Sequence, residues 1–242
     1  MSERYDKATA GHYAAYRPPL HELILDLSLD AEESFASGLD FGCGTGYSSV
    51  ALAKYCQHVS AVDASLDMLD LAEPHPRITY THGTVESVSG SPARPFDIVT
   101  FAGSLFYVKS KALHSALSSA CGTGCAVIVY DFEILIDELL NDIGIEIPAQ
   151  KSDYQHDVGL SEWNDYALET DISKRVKLTI TPQQAAHILL SDSTRYDVLR
   201  TEFSQEEPFD SLVKRYQETK NSVSVSADIW SKRYRLASER TA

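Results

Sequence analysis

The run "DFGCGTG", residues 40–46, puts glycine at 42, 44 and 46, with a carboxylate two residues ahead of the first. Glycine costs conformational entropy on folding, so a turn this bare is kept where an object must come close to the main chain. Neighbouring residues separate the ligands that such a turn could hold. A P-loop requires Lys and Ser/Thr behind its last glycine, and Tyr47 stands there instead. A dinucleotide turn follows G-x-G-x-x-G spacing and aims a helix N-terminus at a pyrophosphate. Here the spacing is G-x-G-x-G, and the Asp40 carboxylate would oppose a pyrophosphate while suiting a cationic amino group. A second acid, Asp63, closes the next apolar run, where a carboxylate in a βαβ unit accepts from both hydroxyls of a ribose. S-adenosylmethionine meets all three requirements, and an NAD-like nucleotide is the alternative.

These residues need a frame. "HVSAVD" (58–63), "RITYTH" (77–82), "FDIVTFA" (96–102) and "CAVIVYDF" (125–132) are short, apolar and β-branched, as strands buried on both faces are. Helix-spaced runs separate them: "YSSVALAKYC", "SLDMLDLAE" and "KALHSALSSAC". The alternation predicts an α/β, Rossmann-like, doubly wound and mostly parallel sheet. Beyond Phe132 the rhythm changes. "EILIDELLNDIG" predicts a helix, 147–173 an irregular stretch and "RVKLTIT" a strand. "TPQQAAHILLSDS" has a helix start, with Thr181 as N-cap and Pro182 in the first turn. "PFDSLVKRYQETK" predicts another helix, and "VSVSADIWSKRYRLA" a closing antiparallel β-hairpin. The expected division is an N-terminal helical cover (1–34), a ligand-binding core (35–136), an inserted cap (137–195) and a C-terminal helix and hairpin (196–242).

The 242 residues carry a formal charge of −14, which disfavours nucleic acid and anionic membrane and favours a small-molecule partner. No run reaches the roughly 18 consecutive apolar residues of a membrane helix, and the opening lacks a signal-peptide core, so a cytoplasmic chain is expected. Four cysteines are too few for a disulfide framework; Cys121 and Cys125 in "CGTGC" lack the partners of a metal site. His156 between Asp153 and Asp157 is likewise a weak metal pattern, and no metal is expected. Oligomeric state is not legible.

On these motifs the sequence resembles the class I S-adenosylmethionine-dependent methyltransferases over most of its length. "LDFGCGTG" is similar to that family's first motif, "VDASLDMLDLA" to its second and "FDIVTFAGSLFYV" to its fourth, which runs beneath the reacting methyl. The opening "YDKATAGHYAAYRPPL" resembles the N-terminal helix pair of the type 11 small-molecule group, which includes trans-aconitate methyltransferase-like enzymes. In that group the segment folds over the cofactor. The third motif departs from the pattern: "HGTVES" puts Thr84 where the family has an Asp for adenine.

The resemblance implies cofactor contacts at Tyr13, Arg17, Asp40, Gly42, Cys43, Gly44, Asp63, Ala64, Met68, Thr84, Val85, Phe101, Ala102 and Tyr107. Asp63 takes the ribose position and Met68 the adenine position. Ligands of open α/β sheets lie beyond the carboxyl ends of the strands, which selects Ser104, Phe106, Asp131 and Phe132 for substrate, with Tyr5 from the cover and Tyr154 and Trp163 from the cap. Each has a plainer alternative: packing for the tyrosines, a core for Trp163, a helix cap for Asp131. His12 and Tyr16 are the candidate catalytic residues. In-line attack on a sulfonium methyl makes a base optional, so orientation and desolvation can carry the rate. The expected activity is O- or N-methylation of a small molecule. Other S-adenosylmethionine chemistry on the same scaffold (decarboxylation, cyclisation, carboxymethyl formation) and a non-catalytic binding protein remain alternatives.

Overall fold

The computed structural model describes residues 7–84, 95–148, 153–204, 207–219 and 222–237. Seven strands form one sheet: β1 (Phe35–Phe41), β2 (Cys56–Asp63), β3 (Ile78–His82), β4 (Phe96–Ala102), β5 (Cys121–Ile134), β6 (Tyr166–Ile180) and β7 (Val223–Leu236). Their order is β3-β2-β1-β4-β5-β7-β6. The β1–β2, β1–β4, β2–β3 and β4–β5 pairs are parallel, and the C-terminal strands are antiparallel, as the alternating pattern implies. Order reverses between β1 and β4, so the crevice at their carboxyl ends is the topological switch point where doubly wound sheets hold ligands. The glycine turn leaves β1 into it.

Ten helices are described: α1 (Lys7–Ala15), α2 (Leu20–Ser28), α3 (Tyr47–Leu52), α4 (Leu66–Leu69), α5 (Leu105–Val108), α6 (Lys111–Ala120), α7 (Ile136–Asp142), α8 (Pro182–Leu190), α9 (Ser193–Glu202) and α10 (Phe209–Thr219). Local chemistry sets their ends. Ser65 accepts from the Met68 amide to cap α4, and Ser110 accepts from Leu113 to cap α6. Thr181 and Gln184 form a reciprocal capping box with Pro182 at the first turn of α8.

The chain divides into two compact units. One comprises Pro19–Phe132, Tyr154–Lys174 and Ile229–Ala242. Its core stacks Leu39, Phe41, Val99, Phe101, Val127 and Val129 from the central strands against Leu113 and Leu117 of α6. The other comprises Met1–Pro18, Glu133–Asp153 and Arg175–Asp228. There Leu139, Ala185, Ala186, Leu189, Leu212 and Tyr216 form a second core, and the Tyr216 hydroxyl donates to the Leu139 carbonyl at 2.7 Å.

Three local expectations change. Residues 223–236 form one strand, not two, because buried and half-buried residues alternate from Val223 to Arg233 with no glycine or proline to break the run. Part of the stretch expected to be irregular is strand, since β6 begins at Tyr166. Helix α9 was not expected; its N-cap Asp192, which accepts from Arg195 at 2.8 Å, lies inside a polar run with weak periodicity.

Candidate active site

All three glycines of the turn have left-handed φ: +75° at Gly42, +54° at Gly44 and +86° at Gly46. They serve different neighbours. A Cβ at Gly42 would overlap Ser104, and one at Gly46 would overlap the Tyr80 hydroxyl. Both are therefore required by packing within the protein. At Gly44 a Cβ would meet only the Met68 methyl, at 3.2 Å, and is otherwise in open space. Gly44 is thus the point of the turn that leaves room for a ligand against the backbone.

Asp63 ends β2 beside it. Its Oδ2 accepts from the Gly44 amide at 2.7 Å and its Oδ1 from the Ser65 amide at 2.8 Å. Two oxygens offer about four acceptor sites, so this half-buried carboxylate is oriented by the backbone with capacity left for a vicinal diol. The Gly44 N–H, which a phosphate-binding turn would give to its anion, is committed to a carboxylate. A phosphate-free adenosyl compound fits this arrangement: the diol at Asp63, the base beside the Met68 thioether and the main chain at Gly44 bare. Ala64 is exposed, and its carbonyl lies 3.1 Å from His82 Nε2. Thr84 is exposed, two residues beyond β3. The Tyr80 hydroxyl behind Gly46 is buried without a hydrogen-bond partner among the described residues, and burial raises its pKa to about 12.

At the carboxyl ends of β4 and β5 lies a second cluster. Ser104 packs on Gly42 and donates to the Phe41 carbonyl at 2.5 Å. Gly103, next to it, comes close to Asp131 and Tyr154. Asp131 Oδ1 accepts from the Phe132 amide at 2.8 Å; its Oδ2 accepts from the Tyr154 hydroxyl at 2.7 Å and from His156 Nδ1 at 2.9 Å. Tyr154 also reaches the Gly103 carbonyl at 2.8 Å. Burial, and then the Asp131 charge, push the Tyr154 hydroxyl well above its ordinary pKa, so it stays a neutral donor. Aromatic rings pave this area: Phe106 and Tyr107 meet the Tyr154 ring at centroid distances of 4.9 and 5.5 Å, and Tyr107 is 74% exposed. Phe132 meets His21 edge-on at 5.2 Å.

Several expected contacts take another form. Asp40 is fully buried: its Oδ2 accepts from Ser48 and Ser49, both at 2.6 Å, and its Oδ1 from Thr100 at 2.8 Å. Burial raises its pKa, against the opposing effect of those hydroxyls. It ties β1 to α3 and β4 and cannot meet an amino group directly. The Phe101 ring is fully buried against Phe41, so no side-chain contact to a ligand is open to it. Cys43 is buried too, which raises its thiol pKa. Ala102 is half-buried at the end of β4. Trp163 packs beside His114 of α6 and Tyr166, whose hydroxyl feels Cys121 and Cys125 at the start of β5. That is the opposite end of β5 from Asp131, so Trp163 belongs to the core and not to the substrate cluster.

In the other unit, Arg17 lies over the Tyr13 ring at 3.7 Å, and Tyr16 packs on the apolar core. His12 Nδ1 lies 2.9 Å from His187 Nδ1, and its ring stacks on Phe209 at 5.7 Å. Tyr5 and Val85 lie outside the described residues. His156, expected among the amphipathic side chains that could line a pocket, pairs with Asp131. The signal for its pairing with Asp131 is long-range, 25 residues apart, and no local spacing carries it. Among the described residues no group of three His, Cys, Asp or Glu could hold a metal, and no helix is long and apolar enough to cross a membrane.

Residues 39–127 match the family model described as a methyltransferase domain. The chain is 30% identical over 130 residues to the ubiquinone biosynthesis O-methyltransferase of Xylella fastidiosa (strain 9a5c), covering 49% of this chain and 52% of that protein. It is 35% identical over 104 residues to the protein of the same name from Aromatoleum aromaticum, covering 39% and 44%. The chain thus spans about half the length of the curated relatives it matches. Among solved structures, a candidate type II methyltransferase from Anaeromyxobacter dehalogenans superposes with a TM-score of 0.61 at 16% identity, over 92% of this chain and 99% of that one. The YcgJ protein of Bacillus subtilis superposes at 0.50 and 18% identity, over 90% and 99%. Those two likenesses establish the fold, and the domain match identifies residues 39–127 as a methyltransferase domain.

Proposed function

We propose that this chain transfers the methyl group of S-adenosylmethionine to a small-molecule acceptor, with oxygen preferred to nitrogen as the methylated atom. One observation carries the cofactor assignment: the Asp63 carboxylate is held between the Gly44 and Ser65 amides beside the bare main chain of Gly44. Asp63 would hold the ribose, Met68 the adenine, and Gly44 would let the adenosyl group lie close. When bound, the cofactor supplies an electrophilic methyl on a cationic sulfur. Phe106, Tyr107 and Tyr154 would exclude water around the acceptor. Preference for oxygen is supported by the relatives, which are named O-methyltransferases. The net charge of −14 supports a small acceptor over nucleic acid.

Isothermal titration with S-adenosylmethionine and S-adenosylhomocysteine, followed by detection of S-adenosylhomocysteine with a panel of small hydroxylated and amino acceptors, tests the reading. Saturable binding and a methylated product are expected. A chain that binds neither compound, or binds NAD instead, overturns it.

A further inference from the structure

We propose that Cys121 and Cys125 are a modification site: a paired dithiol that reacts with hydrogen peroxide and closes to a reversible disulfide, with Tyr166 as hydrogen-bond donor. The site lies at the amino end of β5, away from the cofactor crevice, and is independent of the methyl-transfer reading.

A break in the strand ladder brings the two sulfurs together. Along an undisturbed strand, residues four apart are separated by about 13 Å. Here Phe96 of β4 pairs with Cys121 and Ile98 with Ala126, so two steps along β4 are matched by five along β5. The surplus residues fold out as a bulge, with exposed Thr123 at its crest and Gly124 at φ +77°. The bulge turns Cys125 back onto Cys121, and their thiols hydrogen-bond. The Cys125 S–H donates to the Ala126 carbonyl at 3.5 Å, which leaves its sulfur to accept from Cys121.

Burial divides the tasks. Cys121 is half-buried, whereas Cys125 is 2% exposed and belongs to the core. An oxidant therefore meets Cys121 first, and Cys125 is the resolving thiol. The hydrogen bond with Cys121, and then burial, hold the Cys125 thiol well above its ordinary pKa, so it does not ionise and react alone. Arg235 works the other way. It donates to the Gly124 carbonyl at 2.9 Å, and its cation favours negative charge at the bulge. The Tyr166 hydroxyl is the third group: buried, and without a hydrogen-bond partner among the described residues. Burial, and then Cys121, raise its pKa, so it stays a donor beside the sulfurs. A buried hydroxyl left unsatisfied costs free energy, and an oxygen bound to the Cys121 sulfur would take its hydrogen. A metal would need more ligands than two sulfurs, and among the described residues no third His, Cys, Asp or Glu joins them.

The chemistry balances in two steps. The Cys121 sulfur, as thiolate, attacks one oxygen of the peroxide; the S–O bond forms and the O–O bond breaks. The departing hydroxide takes up the proton that Cys121 gave to solvent and leaves as water, while Tyr166 donates to the sulfenic oxygen. The Cys125 sulfur then attacks the Cys121 sulfur. The S–S bond forms, the S–O bond breaks, and the Cys125 proton leaves with that oxygen as a second water. The two thiols lose two electrons and the peroxide gains them. Closure spares Cys121 the irreversible sulfinic and sulfonic stages, and an external dithiol restores both thiols by exchange.

The experiment uses the full chain, reduced and then exposed in its native state to a small excess of hydrogen peroxide. Remaining thiols are alkylated in denaturant, and the digested chain is read by mass spectrometry. A peptide holding Cys121 and Cys125, lighter by two hydrogens and unalkylated at both, is expected, with Cys43 and Cys56 still alkylated. Dithiothreitol should return both thiols. A pair that stays alkylatable, a sulfinic or sulfonic acid at Cys121 without the disulfide, or closure only in denaturant overturns the proposal. This arm needs no variant and does not depend on any variant's folding. In Cys125→Ser, dimedone should capture a sulfenic acid at Cys121; its absence where wild type closes the disulfide overturns the order of attack. Tyr166→Phe should slow closure by about tenfold, the worth of one hydrogen bond. An unchanged rate overturns the role given to Tyr166.

Discussion

The Gly44 amide donates to Asp63 Oδ2 at 2.7 Å, so the glycine turn after β1 and the acid at the end of β2 are one unit. Asp63→Ala removes the acceptor proposed for the ribose and frees the turn together. A loss of about 2–4 kcal/mol in S-adenosylmethionine affinity is expected by titration calorimetry. Asp63→Asn, which keeps one acceptor oxygen, should fall between. An unchanged affinity in Asp63→Ala would remove the ribose from this carboxylate.

Gly46 and Tyr80 predict opposite signs. Gly46→Ala must place a Cβ at φ +86° onto the Tyr80 hydroxyl and should cost about 2–4 kcal/mol in urea unfolding. Tyr80→Phe deletes a buried hydroxyl that has no partner among the described residues, so stability should hold or rise by about 1 kcal/mol. A large loss in Tyr80→Phe would mean that this hydroxyl has a partner.

Arg233 is 8% exposed and clasps two acids: both Glu33 oxygens at 2.7 Å and Glu169 at 2.8 Å. Arg233→Met should destabilise by about 1–3 kcal/mol, since it strips Glu33 of its cation while Arg235 still pairs with Glu169. The Arg233 hydrogen bond holds the Glu33 pKa below its ordinary 4.5, and Arg235 does the same for Glu169. Lowered acid pKa values give stability that is present above about pH 4.5 and lost as pH falls through the native values. Thermal melts between pH 6 and 3 should show that loss, and Glu33→Gln should show less of it.

The His12–His187 contact has its own pH signature. Burial, and then the neighbouring His12, lower the His187 pKa below 6.5. Below 6.5 the unfolded chain binds the extra proton first, so stability is full above that value and declines as pH falls toward the native one. His187→Leu should flatten this decline in melts between pH 7.5 and 5. A decline that persists unaltered would assign it to another group.

Legibility in the sequence followed the range of the forces involved. β2 to β5 were readable because each contains a short apolar run, and α8 because Thr181 and Pro182 stand side by side at its start. Residue type and strand position mark the glycine turn and Asp63 in the sequence, and the Gly44 amide joins the two in the structure. Asp40 was misread as a ligand contact, because three hydroxyls from two other elements converge on it and only Ser48 and Ser49 lie nearby in the chain. Trp163 was misplaced for the complementary reason: an aromatic on a loop looks the same whether it faces a pocket or packs beside α6. The Asp131–His156 pair was invisible because nothing short of the fold brings the two together.

The Tyr154 hydroxyl points one hydrogen at two acceptors, the Gly103 carbonyl and Asp131 Oδ2. Whatever share goes to the backbone is withheld from the acid, so rotation of a single C–O bond sets how much negative charge is left to grip the imidazole. The strength of that grip is thereby tied to the posture of the loop after β4, and anything that nudges Gly103 is felt at the histidine.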